Sequence, residues 1–257
     1  MFKKIDTIFR QEGVIGFYQR IRIRFYYLFK PKIVKSAYGV YLNSNWGDAT
    51  FNLCFNGTYG YFFSDFLKKM NKKYEFIDIG ANQGIYSLIA AKNRNFKKIF
   101  AFEPVNQTFE LLKKNIKINK FKNIIAKKYA ISTYNGNVKI LIKKNHSGSA
   151  TIKSRYSCSY TNTSVIKTAN FSVLNKLIKS DDRKVIKIDV EGHELEVVNQ
   201  LIRTNFIKLV DFIYVEINFK KSNLSIIKNK LKKNNFYYIY KSPKINNHCD
   251  FLFKRIK

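Results

Sequence analysis

Apolar positions along the chain switch period repeatedly, and the switches mark out alternating strands and helices. Phe76, Ile77 and Ile79 form a short apolar run bounded by Lys73 and Gly80, as a buried parallel strand requires. Ile85, Leu88, Ile89 and Ala90 then recur at helical spacing, so residues 76–90 read as strand, tight glycine turn and helix. Residues 99–102 read as a second strand that ends in Glu103, and Asn106 reads as the cap of a helix carrying Phe109, Leu111, Leu112, Ile116 and Ile118. Residues 123–130 give a third strand, and Asn135-Gly136 a hairpin turn into a strand over 138–142. From His146 through the Ser/Thr-rich run to Thr163 the pattern is that of a long mobile loop.

Further on, Asn170 caps a short helix over 172–178, and residues 185–188 form a fourth strand that runs into Asp189, Glu191, Gly192, His193 and Glu194. Leu195, Val197, Val198 and Leu201 continue as a helix. A fifth strand over 212–217 carries Glu216, a helix follows over 224–231, and residues 237–240 and 250–253 close the chain as a strand pair. Strands alternating with helices and a final strand pair imply an α/β fold, a mostly parallel sheet with one antiparallel strand. Ahead of this pattern, residues 1–35 are basic and aromatic, with Ile5, Ile8 and Phe9 on one helical face and Arg20, Arg22 and Arg24 interleaved with Ile21 and Ile23. Helix and half-buried strand both fit that stretch, and Pro31 ends it. Residues 38–63 read as short strands with turns at Asn45-Trp46-Gly47 and Asn56-Gly57, a cap at the mouth of the domain, before a helix over 62–70.

The chemistry gathers at the strand ends. Gly80 and Gly84 let the backbone pass close beneath a ligand, and the helix that follows presents free N–H groups at the same place. Glu103, at the tip of the neighbouring strand, can accept hydrogen bonds from both hydroxyls of a ribose, so turn and acid together read as an adenosine-binding pair. Gly80-x-x-x-Gly84 behind Asp78 is not the Gly-x-Gly-x-x-Gly of dinucleotide folds, and no Gly-Lys-Ser/Thr follows for a triphosphate. A cofactor with a ribose and no phosphate fits better.

The motifs Phe-Ile-Asp-Ile-Gly-Ala-Asn-Gln-Gly at 76–84, Ala-Phe-Glu-Pro at 101–104 and Ile-Asp-Val-Glu-Gly-His-Glu at 188–194 resemble, in order, those of the FkbM family of class I S-adenosylmethionine-dependent methyltransferases, over roughly residues 55–218. The resemblance implies a Rossmann-like, doubly wound, seven-stranded sheet, with residues 66–257 as the methyltransferase domain and 1–65 as a basic aromatic segment and cap. It implies that Asp78, Gly80, Ala81, Asn82, Gly84, Glu103 and Asp189 meet S-adenosylmethionine, with Tyr129 and Ala130 at the adenine. Asp78 would orient the cofactor's amino group or satisfy local N–H groups as a turn residue. Transfer to a hydroxyl, often of a sugar or other secondary metabolite, is also implied; a bacterial surface glycan or glycoconjugate would be such an acceptor, and a Gly/Ser-rich loop at 146–151 would close over it.

Methyl transfer needs the acceptor oxygen held in line and a late proton removed, and Asp189, Glu191 and His193 are the candidates for that work. His193 sits at a helix start, where a capping role is the alternative. With Glu216, the two acids could instead hold a divalent ion, although no histidine-rich or aspartate-pair spacing backs a metal. Trp46, Tyr59 and Tyr61 are candidates to stack on a sugar or simply to fill the core. An Asn/Asp-Pro-Pro-aromatic run, the mark of methylation at base amino groups, is absent where Asp189-Val-Glu-Gly stands, and no cysteine lies near for attack at a pyrimidine carbon. Nucleic-acid methylation and a non-catalytic cofactor-binding module remain the competing classes.

Charge is what keeps nucleic acid in view. With 48 basic and 17 acidic residues the formal charge is +31, a field that attracts RNA, DNA, anionic lipid or acidic glycan, although lysines scattered with Asn, Ile, Phe and Tyr also fit a coding bias. Residues 1–35 could lie on an anionic membrane surface or pack on the domain. No apolar run reaches membrane-spanning length and the start lacks a secretory signal, which implies a cytoplasmic protein, peripheral on the inner face of the membrane if that segment binds lipid. Cys54, Cys158 and Cys249 show no metal or redox spacing and read as reduced, packed thiols.

Overall fold

The computed structural model describes residues 21, 23–152, 162–245 and 247–256, so residues 1–20 and 22 of the basic stretch 1–35, and Cys158, lie outside the described residues. Residues 23–29 are helical. Two short strands, β1 (Ile33–Lys35) and β2 (Tyr41–Asn43), pair antiparallel, and helices α1 (Ala49–Asn56) and α2 (Tyr61–Lys69) follow. Helix α1 departs from the expected hairpin. Its Thr50, Phe51, Cys54 and Phe55 are buried at helical spacing, Asp48 accepts the Phe51 N–H at 2.8 Å as N-cap, and Gly57, at φ +78°, donates back to Leu53. Asn-Gly marks a demand for left-handed backbone, and a helix C-terminus makes the same demand as a hairpin turn.

The chain then winds the main sheet: β3 (Tyr74–Ile79), α3 (Ile85–Lys92), β4 (Phe96–Phe102), α4 (Asn106–Ile118) and β5 (Ile124–Lys127). Helix α4 starts one residue earlier than read, with Val105 as N-cap, and the Asn106 side chain takes a hydrogen bond from Lys128 instead. A separate run follows, β6 (Ala130–Ile131), β7 (Gly136–Lys143), β8 (His146–Thr151), β9 (Asn162–Ala169) and α5 (Phe171–Leu177), before the main sheet resumes with β10 (Lys184–Ile188), α6 (Glu194–Leu201), β11 (Val210–Asn218), α7 (Leu224–Lys232), β12 (Phe236–Lys241) and β13 (His248–Arg255). The sheet order is β12-β13-β11-β10-β3-β4-β5, with β13 antiparallel to both neighbours and parallel pairing from β11 to β5. The doubly wound, seven-stranded α/β sheet with one antiparallel strand is therefore as expected.

Winding runs outward from β3 to β5 and then restarts at β10 on the other side, so the β3/β10 boundary is where connections diverge to opposite faces. A crevice must open there beyond the carboxyl ends. Alternate residues of the central strands feed two cores. Ile77, Ile79, Ile186 and Ile188 pack with α6 and α7, while Phe76, Val185 and Tyr214 pack with Val34, Leu42, Phe51, Phe55 and Phe63 from the N-terminal elements. Cys54 and Cys249 are buried free thiols. Among the described residues no helix is long and apolar enough to cross a membrane.

A second sheet, ordered β6-β9-β7-β8, lies at the carboxyl edge. Strand β8 replaces the start of the expected loop, and the rest of that loop falls at 153–161, outside the described residues. The hairpin joins β7 to β8 through Asn145, at φ +59°, whereas Asn135-Gly136 turns no hairpin, since β6 pairs with β9. The N-terminal cap is stitched to β8: Asp48 takes the Ser147 N–H at 2.7 Å and Thr50 Oγ1 takes the Gly148 N–H at 2.9 Å.

Phe63 is fully buried and stacks on Tyr214 with ring centroids 4.1 Å apart, so it joins α2 to the middle of the sheet. Phe63→Ala is expected to lower unfolding free energy by about 3–5 kcal/mol in denaturant titration. A loss under about 1 kcal/mol would mean that α2 is not part of the cooperative unit.

Candidate cofactor and acceptor site

Registry brings the site together. Ile79 of β3 pairs with Ile188 of β10, so the chain leaves the two strands side by side at Gly80 and Asp189. Gly80 has φ +77°, and a Cβ there would stand 1.8 Å from the Asp189 carbonyl oxygen; one at Gly84, φ +93°, would stand 2.4 Å from Leu112 Cδ1. The reading that both glycines clear space for a ligand is corrected accordingly: the space is filled by protein, and the glycines let β3, β10 and α4 close up. The turn itself is fixed by Gly80 and Ala81 N–H groups donating to Phe102, and Asn82 follows at φ +50°.

Beneath the turn lies a buried ammonium. Lys187 Nζ donates to the Gly80 carbonyl at 2.8 Å and stands 3.2 Å from Asp189 Oδ2 and 3.4 Å from Asp78 Oδ1. Burial alone would lower its pKa, but Asp189 and Asp78 outweigh that and raise it. Asp78, with no exposed surface, also accepts from Ser87 Oγ at 2.7 Å, so it lies below the crevice and not in its wall. Ala81 and Gly84 are likewise outside the wall.

A cavity opens above the turn, bordered by Gly80, Asn82, Glu103, Tyr129, Ala130 and Asp189 of the expected cofactor set, together with Glu191 and His193. Glu103 is 6% exposed and accepts the Asn82 and Val105 N–H groups, each at 2.9 Å. Burial pushes its carboxyl up to about 7, against the pull of those two donors. Val105, Ala130, Ile140 and Ile166 form an apolar cluster with Ala150 and Ile152, so the second sheet roofs the slot beside Glu103. An acid held between N–H groups, next to an apolar slot, is a donor set that fits a ribose and an adenine ring.

A second cavity adjoins the first and shares Tyr59, Gly148, Asp189 and Glu191 with it. The rest of its wall includes Thr50, Lys143, His146, Glu216, Asn218, Lys221 and His248. Tyr59 donates its hydroxyl to Asp189 Oδ2 at 3.0 Å, and burial, then the Asp189 charge, raise its pKa. Glu191 has φ +51° and pairs with Lys221 at 2.6 Å. His193 heads α6 and meets Ser132 Oγ through Nε2 at 3.0 Å. Trp46 and Tyr61, expected as stacking candidates beside Tyr59, border neither cavity: Trp46 packs on Phe51 and Phe55, and Tyr61 is exposed on α2. Among the described residues no trio of His, Cys, Asp or Glu is disposed to hold a metal ion.

The sequence reading missed Thr50, Lys143, Asn218, Lys221 and His248, and took His146 only as the start of a loop over the acceptor. They come from the cap, the second sheet and the last strand, and no motif marks them; His248 becomes conspicuous only through Asn218, its antiparallel partner.

Residues 78–238 match the methyltransferase FkbM domain. A hexuronic acid methyltransferase, AglP, of Haloferax volcanii is 30% identical over 141 residues, 55% of this chain and 54% of that one, so the match spans about half the relative's length. Similar solved structures include a protein of the NADB-Rossmann superfamily from Streptococcus agalactiae (14% identity, 74% of this chain and 66% of that one, TM-score 0.45) and TrmK from M. capricolum in complex with S-adenosyl-homocysteine (11%, 76% and 69%, 0.44). The domain match takes in the glycine turn, Glu103 and the acidic edge, and covers more than half of the chain: the protein belongs to the FkbM methyltransferase family, whose methyl donor is S-adenosylmethionine.

Proposed function

We propose that the chain transfers the methyl group of S-adenosylmethionine to a hydroxyl of a sugar in a glycan or glycoconjugate. The observation that carries this reading is the meeting of two cavities at Tyr59, Asp189 and Glu191, one suited to an adenosine and the other rich in hydrogen-bonding side chains. When bound, the cofactor supplies a methyl carbon on a positively charged sulfur with an excellent leaving group. Glu103 would hold the ribose hydroxyls, Tyr129, Ala130 and Val105 the adenine, and the backbone at Gly80 and Asn82 the segment between, with the sulfur side toward Asp189. Asp78 acts indirectly, by fixing Lys187 under the turn.

A hydroxyl is favoured over a carboxylate because Asp189, Glu191 and Glu216 all border the second cavity. Carboxylates accept a hydrogen bond from a hydroxyl and repel an anionic oxygen. Thr50, Asn218 and the Tyr59 ring suit a sugar, and Lys143 in the same wall could face an acidic ring substituent, in keeping with the hexuronic acid of the relative. Asp189 and Glu191 would orient the acceptor, with His193 holding the start of α6 behind them. An acidic or lipid-linked glycan at an anionic membrane would also use the basic residues 1–35. The +31 charge supports a second reading, methylation of RNA.

Labelled S-adenosylmethionine offered to fractionated glycan, lipid and RNA pools tests both readings. Label is expected in glycan, and it should survive mild alkali as a methyl ether. Alkali-labile label would mean an ester and overturn the hydroxyl assignment; label in RNA would replace the sugar.

Affinity for the cofactor should follow Glu103. Ionised carboxylate accepts two hydroxyl hydrogen bonds, so binding should tighten as pH rises through about 7 and weaken below it. Glu103→Gln is expected to weaken binding about one hundredfold and to flatten that pH dependence in calorimetry. Unchanged affinity in the variant would remove Glu103 from the cofactor site.

A further inference from the structure

We propose that Glu216, oriented by His248, is the general base that takes the proton from the acceptor hydroxyl, an inference that rests on the hydroxyl reading above. The other acids in the wall of the second cavity are engaged. Asp189 Oδ2 is engaged by the Tyr59 hydroxyl and by Lys187, and Glu191 is paired with Lys221. His193 is tied to Ser132 at the head of α6.

His248 is excluded by its hydrogen bonds. Asn218 Oδ1 accepts the Lys220 N–H at 3.0 Å, which turns the Asn218 amide nitrogen toward His248 Nε2, 3.0 Å away. An amide NH₂ can only donate, so Nε2 carries the imidazole's lone pair and is already used. The ring proton then sits on Nδ1 and is donated to Glu216 Oε1 at 3.1 Å. The chain Lys220, Asn218, His248, Glu216 thus fixes one tautomer and aims one carboxylate. Among the described residues His248 is the hydrogen-bond partner of the Glu216 carboxylate, whose side chain keeps 30% exposure and borders the cavity. Because Ile188 pairs with Val215, Asp189 and Glu216 emerge on adjacent parallel strands, which sets Glu216 next to the boundary between the cavities.

In the transfer, the acceptor oxygen bonds to the methyl carbon as the carbon–sulfur bond breaks and its electron pair stays on sulfur. The O–H bond breaks in the same step and its proton passes to Glu216. That carboxylate faces Lys187 from β10, Asp189 and Glu191 from the loop after it, His248 and Asp250 from β13, Lys221 beyond β11, Tyr59 from the cap, and Lys143 and His146 from the second sheet across the cavity. Burial and the Asp189 charge push it up to about 8, against the His248 hydrogen bond, which lowers it. A base works only when ionised, so turnover should climb with pH until the Glu216–His248 pair is deprotonated.

The test uses the full chain with S-adenosylmethionine and two acceptor probes, methyl β-glucuronide and methyl β-glucoside. Glu216→Gln should cut kcat by about two to four orders of magnitude while cofactor affinity stays within a few-fold. His248→Leu should cost less and move the pH limb upward, because it removes the bond that favours the ionised carboxylate. With 15N-labelled histidine, wild-type His248 should carry its proton on Nδ1 and titrate above the ordinary histidine value, and Glu216→Gln should bring that titration down. Glu216→Gln with near wild-type kcat and an unmoved pH limb would overturn the proposal. So would a His248 titration indifferent to Glu216, whether or not either probe is methylated. Probes left unmethylated by an enzyme whose His248 does respond would uphold the pair and count against the sugar reading.

Discussion

A single buried ammonium holds the centre of this molecule. Lys187 points out of β10 into the buried interior and is compensated there by Asp78 from β3, Asp189 from the end of its own strand and the Gly80 carbonyl. An isolated charge in such a place would cost several kcal/mol, so each partner is obligatory and each partner's backbone is fixed with it. What is fixed is the glycine turn on one side and the acidic edge on the other. The two cavities are thus referred to one cation, and Tyr59, bonded to Asp189, extends the reference to the N-terminal cap.

The two cavities differ in how their walls are gathered. The cofactor slot draws mostly on consecutive strand ends along 79–105 and 129–131, with the second sheet as its roof. The second cavity gathers Thr50 and Tyr59 from the cap, Lys143 and His146 from the second sheet, and His248 from the last strand. On the proposed reading, the acceptor would be set by the second group of residues and the cofactor by the first.

That division also governs what could be read from the sequence. The β3 run, its glycines, Glu103 and the Asp189–Glu194 segment are local patterns in which apolar runs stop abruptly at strand ends, and each was legible. Helix α1 was not, since Asn56-Gly57 signals left-handed backbone without saying what it terminates. Strand β8, His-Ser-Gly-Ser-Ala-Thr, has no apolar alternation and one β-branched residue, Thr151; it is a strand because β7 pairs with it and because Asp48 and Thr50 bind its N–H groups. His248 carries no signal in its neighbours in sequence, and its meaning comes from Asn218 and Glu216 across a strand pair.

The loop after β10 carries a consequence for the fold's own stability. Glu191 at φ +51° and Gly192 at φ +103° are consecutive left-handed residues, and for a glutamate that conformation costs on the order of 1–2 kcal/mol. The Lys221 ion pair and the Thr151 hydroxyl on the Glu191 carbonyl hold it there. The loop is a spring kept loaded by contacts from two other segments, and its tension sits where the two cavities meet. A more relaxed loop would make a more durable protein and a less well-aimed carboxylate, the exchange of robustness for readiness that strained residues at functional sites represent.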